Sequence, residues 1–403
     1  MILPDLGLLR RRRDLRLLVG GSTVSSIGTA FTQVALTIQV YDLTDSTVAV
    51  GLLGVAQFIP IVALALIGGA LADSFDRRKL IFGAELASGF VSAALLINAL
   101  VPSPQLWLLY VAATLFAAAS AVLRPPLDAL LPRLVEREEL KAATAISWSL
   151  MSVSGIVGPA LAGLVIAAGG VKSAYAIDVV TFFGSLTAFA LMRTPPPPSD
   201  ADPPSLRGVV EGVKYAWSRQ EILGSYAIDM SAMFFAMPFA LFPAVAEQYG
   251  GAEVVGLLWA APAVGAIVAM LTSGWSVRVH HNGRAIVFAA AGWGAFIALF
   301  GFADSLWLAV VALAFAGAAD AISGIFRGAL WNETIPDRLR GRLAGLEMIS
   351  WSSGPLLGNA RAGFGASLFG LGPSIVIGGV MVVAACAALA AALPKFWNYD
   401  SRA

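Results

Sequence analysis

Long uncharged apolar runs alternate along the chain with short charged or turn-forming segments. The stretches 17–41, 46–72, 86–123 and 142–171 contain no Asp, Glu, Lys or Arg. A helix that crosses a bilayer needs roughly 20 consecutive apolar residues, and each of these stretches reaches that length. The pattern therefore predicts a protein that crosses a membrane many times.

Turn-forming and charged residues divide these runs into individual helices. Within 86–123, for example, Pro102, Ser103 and Pro104 separate two of them. The sequence predicts an all-α membrane protein with about twelve transmembrane helices, near 17–41, 46–72, 80–100, 105–127, 140–168, 173–192, 221–246, 252–277, 284–302, 305–329, 343–368 and 373–393.

The composition agrees with a membrane protein. Hydrophobic residues make up 58% of the chain and charged residues 13%, whereas roughly a quarter of the residues in soluble domains are charged. The net charge of +1 gives no reason to expect a nucleic-acid partner. Because Cys386 is the single cysteine, an intramolecular disulfide and a thiolate metal cluster are excluded. We expect no cofactor and no metal.

Basic residues lie almost entirely on one side of the predicted helices. With a cytoplasmic N-terminus, 24 of the 26 Lys and Arg residues fall in or next to cytoplasmic segments. Arg327 is one of these 24. The exceptions are Lys172 and Arg361. Cytoplasmic loops carry an excess of Lys and Arg, so we expect a multi-pass protein of the cell membrane with both termini in the cytoplasm.

A Pro-rich and polar segment at 193–220 divides the chain into two parts of similar length. We predict an N-terminal six-helix bundle at 1–192, a cytoplasmic linker at 193–220 and a C-terminal six-helix bundle at 221–403. Apolar residues recur at helical spacing late in the linker, which indicates an amphipathic helix on the membrane surface. A plain loop is the alternative.

The two parts of the chain carry similar short motifs in the same order. The sequence 50–53 recurs at 255–258, and Gly158-Pro159 has its counterpart in Gly354-Pro355. Many secondary transporters are built from such repeats. The common order favours a six-plus-six duplication.

The segment that joins the second and third predicted helices carries Gly69, Asp73, Arg77 and Arg78. A glycine, an aspartate four residues later and a basic pair resemble the cytoplasmic loop signature of the major facilitator superfamily. The resemblance implies a gate, in which Asp73 holds an opposing basic group or helix N-terminus in one transport state and releases it in another. Two intervening positions depart from the commonest pattern, and an ordinary charged loop is the alternative.

The fifth predicted helix contains Gly155, Gly158, Pro159 and Gly163. This arrangement resembles the Gly-Pro signature of antiporters in the same superfamily, which favours export. Proline removes one helix hydrogen bond, so the helix is expected to bend as the bundles move. Close packing through small residues is the alternative explanation.

Two further loops, 124–142 and 337–355, resemble the enterobactin exporter-like and drug-efflux branch of the superfamily. The resemblance extends over essentially the whole chain. It implies the major facilitator fold, in which two six-helix bundles surround a central cavity, and it implies a small-molecule cargo. Members of the superfamily usually have a proton-linked arginine in the fourth helix. The fourth predicted helix of this chain has no arginine at mid-membrane, so that role has no counterpart here.

Several ionisable residues lie inside predicted helices, where each costs roughly 2.5–3.5 kcal/mol at the bilayer centre and normally faces a cavity or a partner. Glu85 and Glu347 are close to basic loops, so we expect structural ion pairs. Asp178 lies near an outer helix end, where snorkelling or capping is an alternative to a role in transport.

Asp229 and Asp320 lie deeper, on the seventh and tenth predicted helices, which the resemblance places beside the cavity. We expect proton coupling there, with Asp229 as the proton carrier and Asp320 as its support. An interior hydrogen bond is the alternative for each carboxylate. Arg361, on the eleventh predicted helix, is the third coupling candidate. It attracts an anionic cargo or neutralises a carboxylate.

The seventh predicted helix is rich in Met and Phe, which form adaptable apolar surfaces, and the first is rich in Ser and Thr. Together they suit an amphiphilic aromatic cargo, with helix–helix packing as the alternative. The residues on the seventh helix are Met230, Met233, Phe234, Phe235, Met237, Phe239 and Phe242.

Together these features predict a secondary active transporter rather than an enzyme. We expect proton-coupled export of a siderophore-like or drug-like small molecule by alternating access, in a monomer embedded in the lipid bilayer. The chain has no Gly-rich Lys-Ser/Thr nucleotide motif, which disfavours ATP coupling. Proton-linked metabolite uptake is the alternative among transporters. A lipid scramblase or a membrane-embedded enzyme is the alternative from another class.

Overall fold

The structure is a computed structural model that describes residues 7–74, 77–193 and 214–402. Within these ranges the secondary structure is helical, without a β-strand. The α-helices are α1 (Gly7–Arg11), α2 (Arg13–Thr44), α3 (Thr47–Ser74), α4 (Arg77–Leu100), α5 (Leu106–Leu130), α6 (Leu140–Gly169), α7 (Val171–Leu191), α8 (Gln220–Ala236), α9 (Phe242–Glu247), α10 (Ala252–Leu271), α11 (Asn282–Gly301), α12 (Leu306–Thr334), α13 (Asp337–Phe369), α14 (Leu371–Ala392) and α15 (Pro394–Trp397).

The long helices follow the apolar runs of the sequence. Helices α2 to α8 and α10 to α14 correspond in order to the twelve predicted helices. In the described part of the chain, ten segments are long and apolar enough to cross a membrane. Large apolar side chains such as Phe90, Phe183 and Trp307 lie exposed on these segments. A bilayer solvates such surfaces, so the prediction of a multi-pass membrane protein is confirmed.

Helices α6 and α13 share several features. They contain 30 and 33 residues, and each has one internal proline, Pro159 or Pro355. Each ends at a glycine with a positive φ, 72° at Gly170 and 87° at Gly370, directly before the next helix. Glycine adopts this backbone conformation without the strain that a Cβ introduces. The shared design supports the duplication inferred from the sequence.

The contacts divide the chain into two compact units. Unit 1 comprises residues 1–43 and 59–204, and unit 2 comprises residues 44–58 and 205–403. The chain passes between the units at three places: at the end of α2, within α3, and inside the predicted linker. In unit 2 the first part of α3 packs against α13, where Thr47 Oγ1 donates a hydrogen bond of 3.1 Å to the carbonyl oxygen of Gly363.

The C-terminal segment 394–402 packs against one end of unit 2. Phe396 is fully buried, and a Cβ on Gly224 of α8 would overlap its ring. Tyr399 Oη donates to Glu333 Oε2 of α12 at 3.1 Å. Hydrogen bonds from Arg402 lower the pKa of Asp400 to about 2. The segment therefore ties the ends of helices that are distant in the sequence.

We expect Phe396→Ala to lower the stability of the protein by about 3 kcal/mol, because truncation of a buried aromatic side chain leaves a cavity. Thermal unfolding of detergent-purified protein measures the change. Trp217→Ala is the matched control, since Trp217 is 72% exposed. Equal shifts for the two variants would contradict a structural role of the C-terminal segment.

Candidate functional site

A cluster of three charged side chains lies inside unit 2. Asp229 is on α8, and Asp320 and Arg327 are on α12. Arg327 Nη1 forms a short ion pair with Asp229 Oδ1. Arg327 Nη2 lies 3.9 Å from Asp320 Oδ1. We call these three residues the charge cluster.

Helix α12 continues to Thr334, so Arg327 lies within the helix rather than in the loop that follows it. Asp320 and Arg327 are seven residues apart, which is about two turns, so both project from one face of the helix. The sequence did not predict this partner, because the distribution of basic residues places Arg327 with the cytoplasmic charges. The seven-residue spacing from Asp320 was the available signal.

The two carboxylates of the charge cluster differ in exposure. The side chain of Asp229 is 8% exposed and that of Asp320 is 44% exposed. With both carboxylates ionised, the cluster has one more negative than positive charge, so binding of one proton makes it neutral. A buried charge is costly without a partner. The carboxylate of Asp229 is therefore paired with Arg327 inside unit 2, whereas that of Asp320 is partly exposed and lies farther from the guanidinium.

Arg361 lies elsewhere in unit 2, beside the end of α8. It lines a small space together with Met237 and Pro238, where α8 has ended at Ala236. Its Nε is buried without a hydrogen-bond partner among the described residues. In the described contacts, Asp229 and Asp320 are paired with Arg327 rather than with Arg361. Its role in coupling remains a prediction.

Part of the Met- and Phe-rich surface predicted on the seventh helix is packed inside unit 2. Phe242 is fully buried. Its ring lies edge-on to Trp259, at 5.9 Å between centroids, and to Phe300, at 6.1 Å. The ring of Phe239 is tilted by 38° relative to the same Trp259 ring, at 4.3 Å between centroids. For Phe242 the packing alternative is correct, because neighbouring helices cover its ring, whereas Phe239 is only partly buried.

Unit 1 contains two buried carboxylates, each held by hydroxyl groups. Asp178 is completely buried and accepts hydrogen bonds from Thr32, at 2.5 Å, and Ser92, at 2.9 Å. Snorkelling is excluded for this residue. Glu85 accepts hydrogen bonds from Ser25, at 3.0 Å, and Ser185, at 2.6 Å. These described partners are hydroxyls, so the ion pair expected for Glu85 is wrong. The side chain of Glu347 lies outside the described residues.

The predicted gate loop is only partly described. Helix α3 ends at Ser74 and α4 begins at Arg77. The surroundings of Gly69 and the side chains of Asp73 and Arg77 lie outside what the structure describes. Arg78 Nε donates to the carbonyl oxygen of Phe189 at 3.2 Å. A second, shorter hydrogen bond joins Arg78 to the carbonyl oxygen of Ala190. Arg78 thus binds carbonyls near the end of α7, an arrangement that stabilises a helix C-terminus.

The antiporter-like motif lies within α6, which is continuous through Pro159. At Gly158 a Cβ would lie 2.6 Å from Ala30 Cβ of α2, whereas a Cβ on Gly155 would meet open space. Gly163 is buried. Gly158 therefore permits a close approach of α6 to α2, which fits the packing explanation and leaves bending as a prediction.

Unit 1 also contains a cavity of about 420 Å³, in the size range of small-molecule sites. Residues of α2, α5 and α6 line it, among them Ser22 and Ser26. The Ser- and Thr-rich first predicted helix, which corresponds to α2, thus faces this open space. In the described part of the chain, no group of His, Cys, Asp and Glu has the arrangement of a metal site.

Known sequences match this chain over most of its length. The model of the family described as "Transmembrane secretion effector" matches residues 10–403. The chain is 29% identical over 375 residues to Enterobactin exporter EntS of Escherichia coli O1:K1 / APEC, a match that covers 91% of this chain and 87% of that protein. The EntS protein of Escherichia coli O157:H7 (strain EC4115 / EHEC) gives the same identity and coverage.

Solved structures of transporters have a similar fold. A bacterial homolog of the human lysosomal transporter Spinster, inward-facing and unoccupied, aligns with a TM-score of 0.73 and 17% identity over 97% of this chain and 98% of that chain. The nucleoside transporter NupG aligns with a TM-score of 0.71 and 13% identity, over 94% and 98% of the two chains. At these identities the likeness shows the fold alone, and it confirms the predicted fold class.

Proposed function

The chain belongs to the transmembrane secretion effector family of the major facilitator superfamily, and we propose that it exports a siderophore-like or drug-like small molecule in exchange for protons. The likeness to the enterobactin exporters supports export and a siderophore-like cargo. The cycle is alternating access between two six-helix bundles, 1–192 and 221–403, in a monomer. Gly69, Asp73, Arg77 and Arg78 form the gate loop, and the motif at 155–163 bends α6.

The charge cluster is the observation that carries this proposal. It places three charged groups on α8 and α12, two membrane-spanning helices of unit 2. Ionisable residues within membrane-spanning helices commonly lie on ion or proton pathways. Binding of a proton neutralises the excess negative charge of the cluster, and release of the proton restores that charge.

We assign the proton to Asp320 and the positioning of Arg327 to Asp229, which reverses the roles expected from the sequence. The larger exposure of Asp320 and its longer distance to Arg327 support this assignment. Arg327 pairs with Asp229 alone when Asp320 is protonated, and with both carboxylates when it is not. This change in pairing between α8 and α12 couples the proton to the movement of the bundle.

Purified protein in vesicles with an imposed proton gradient tests the proposal. We expect a catecholate siderophore or an amphiphilic drug to move only when the gradient is present and to stop when an ionophore collapses it. Gradient-independent flipping of labelled lipid, without cargo flux, would instead support a scramblase. Cargo flux in the direction of the proton movement would support uptake.

The basic residues predict the topology of the protein. In a Cys386→Ala background, we expect an impermeant thiol reagent to label Lys172→Cys in intact cells and to label Asp200→Cys only after the membrane is opened. The reason is the one-sided distribution of Lys and Arg. Labelling of Asp200→Cys in intact cells would contradict the cytoplasmic linker and the cytoplasmic N-terminus.

A further inference from the structure

Three helices of unit 1, α2, α4 and α7, meet along a line of buried polar side chains. Each helix contributes two of them at an interval of seven residues, which is about two turns and places both on one face. All six residues are buried. We define the polar seam as Ser25 and Thr32 of α2, Glu85 and Ser92 of α4, and Asp178 and Ser185 of α7.

One layer of the polar seam surrounds the carboxyl group of Glu85. Ser25 Oγ lies 3.0 Å from Oε1, and Ser185 Oγ lies 2.6 Å from Oε2. Ser185 Oγ also lies 3.1 Å from the carbonyl oxygen of Phe182, one turn earlier on α7. Because a hydroxyl group both donates and accepts, Ser185 can donate to this carbonyl and accept a hydrogen bond from protonated Glu85. The layer therefore accommodates a neutral carboxylic acid with every O–H group paired.

The other layer surrounds the carboxyl group of Asp178. Thr32 Oγ1 and Ser92 Oγ lie 2.5 and 2.9 Å from Oδ2. Thr181 Oγ1 lies 3.3 Å from Oδ1 and donates to the main-chain carbonyl oxygen of Asp178 at 2.7 Å. A proton on Oδ1 therefore finds an acceptor in Thr181, while the two hydroxyl groups at Oδ2 keep theirs. As in the first layer, the accepting hydroxyl group has a main-chain carbonyl to which it donates.

The two carboxyl groups lie without a cation in the part of the chain that the structure describes. Glu85 is 1% exposed, Asp178 is fully buried, and their described partners are hydroxyl groups. Arg78, two turns before Glu85 on α4, donates to main-chain carbonyl oxygens of α7 instead. Tyr175, about one turn before Asp178, donates to Gln39 Oε1 of α2 at 2.7 Å. An ionised carboxylate is costly to bury without a partner charge and takes up a proton instead.

The surrounding helices bring no charge to the polar seam among the described residues. The other charged residues of α2, α4 and α7 lie in the first or last turn of each helix. Tyr110 and Arg124 are the described ionisable side chains of α5, and neither contacts either carboxyl group. Between the two layers, Phe182 of α7 stacks on Phe116 of α5 at 6.2 Å between centroids. Apolar packing thus separates the layers from the next helix.

We propose that Glu85 and Asp178 each bind a proton at neutral pH and that these two protons hold α2, α4 and α7 together. The protonated groups are neutral hydrogen-bonding links between helices, in contrast to the ion pair of the charge cluster in unit 2. Loss of the protons at alkaline pH places two negative charges in the polar seam and weakens the packing of the three helices. The inference concerns unit 1 alone and does not depend on the export of a cargo.

Infrared spectroscopy of the purified protein tests the protonation state directly, because the C=O stretching band of a carboxylic acid is separate from that of a carboxylate. We expect a carboxylic-acid band at neutral pH that weakens in Glu85→Gln and in Asp178→Asn, and weakens further when both changes are combined. Asp304→Asn, which removes an exposed carboxylate, should leave this band unchanged. A band of wild-type intensity in both single variants would overturn the proposal.

The dependence of stability on pH gives a second test. Carboxyl groups of an unfolded chain release their protons near about pH 4. At neutral pH the folded protein therefore binds two more protons at these positions than the unfolded chain, so its stability falls as the pH rises. The fall in unfolding temperature between neutral and alkaline pH should be smaller in Glu85→Gln and in Asp178→Asn than in the wild type.

The same variants distinguish a protonated acid from an ionised one. An amide replaces a neutral acid without a change in charge, so at neutral pH neither variant should unfold at a lower temperature than the wild type. Asp229→Asn serves as the contrast, because it removes a carboxylate that is paired with Arg327, and its unfolding temperature should fall. A fall of the same size in Glu85→Gln and in Asp178→Asn would show that these carboxyl groups are ionised and would overturn the proposal.

Discussion

Asp320→Asn should reduce gradient-driven export to the level of vesicles without protein. An asparagine neither binds nor releases the proton, so the charge cluster would stay neutral throughout the cycle. Exchange of labelled for unlabelled cargo needs no proton and should persist. Cargo affinity should remain within about threefold of the wild-type value, which is less than 1 kcal/mol, and should no longer depend on pH. Export with and without a pH gradient, and cargo binding between acidic and alkaline pH, measure these effects.

The matched control is Asp304→Asn, which removes an exposed carboxylate just before the same helix α12. Export by this variant should equal that of the wild type. If Asp320→Asn accumulates cargo against its gradient with normal pH dependence while Asp229→Asn does not, Asp229 is the carrier, as the sequence suggested. Normal coupling in both variants would move the proton site to another part of the protein, with Asp178 and Glu85 as the next candidates.

Asp229→Asn should lower the stability of the protein by about 3–5 kcal/mol, because it leaves the buried guanidinium of Arg327 without its short ion pair. Arg327→Gln should cost a similar amount, since it leaves two carboxylates without their cation. The double variant Asp229→Asn/Arg327→Gln should be more stable than the sum of the single changes implies. Chemical or thermal unfolding of the purified proteins gives the coupling energy of this double-mutant cycle.

The surface pair Arg219–Glu221 serves as the control cycle. Its atoms are 3.3 Å apart and the arginine side chain is 44% exposed, so we expect a coupling energy below about 1 kcal/mol. Additive effects at Asp229 and Arg327, of the same size as in this surface pair, would show that the charge cluster does not hold α8 and α12 together.

The contrast between the buried and the surface pair also bears on mechanism. A pair that must rearrange during transport has to be strong enough to hold one state and weak enough to be exchanged. In the proposed cycle the carboxylate of Asp320 makes this rearrangement possible, because it competes with Asp229 for the guanidinium of Arg327. The loss of stability in Asp229→Asn and the loss of coupling in Asp320→Asn are therefore separate results, and each tests a different half of the mechanism.

The twelve long helices were predictable because the signals for them are local. An apolar run of about 20 residues needs a bilayer wherever it lies in the chain, and glycine or proline marks its end. The same holds for the repeat, since Gly158-Pro159 and Gly354-Pro355 occupy comparable helices in the structure. These properties depend on residues close to one another in the sequence.

The partners of the charged residues depended on the tertiary structure. Asp229 and Arg327 lie on different helices, and the hydropathy pattern carries no information about which helix faces meet. The packing of α12 against α8 brings Arg327 to Asp229, whereas a charge count assigns Arg327 to the cytoplasmic side. The sequence by itself thus determined the helices, the repeat and the family. Only the packing of the helices decided which acid meets which base, because that choice depends on contacts between residues distant in the chain.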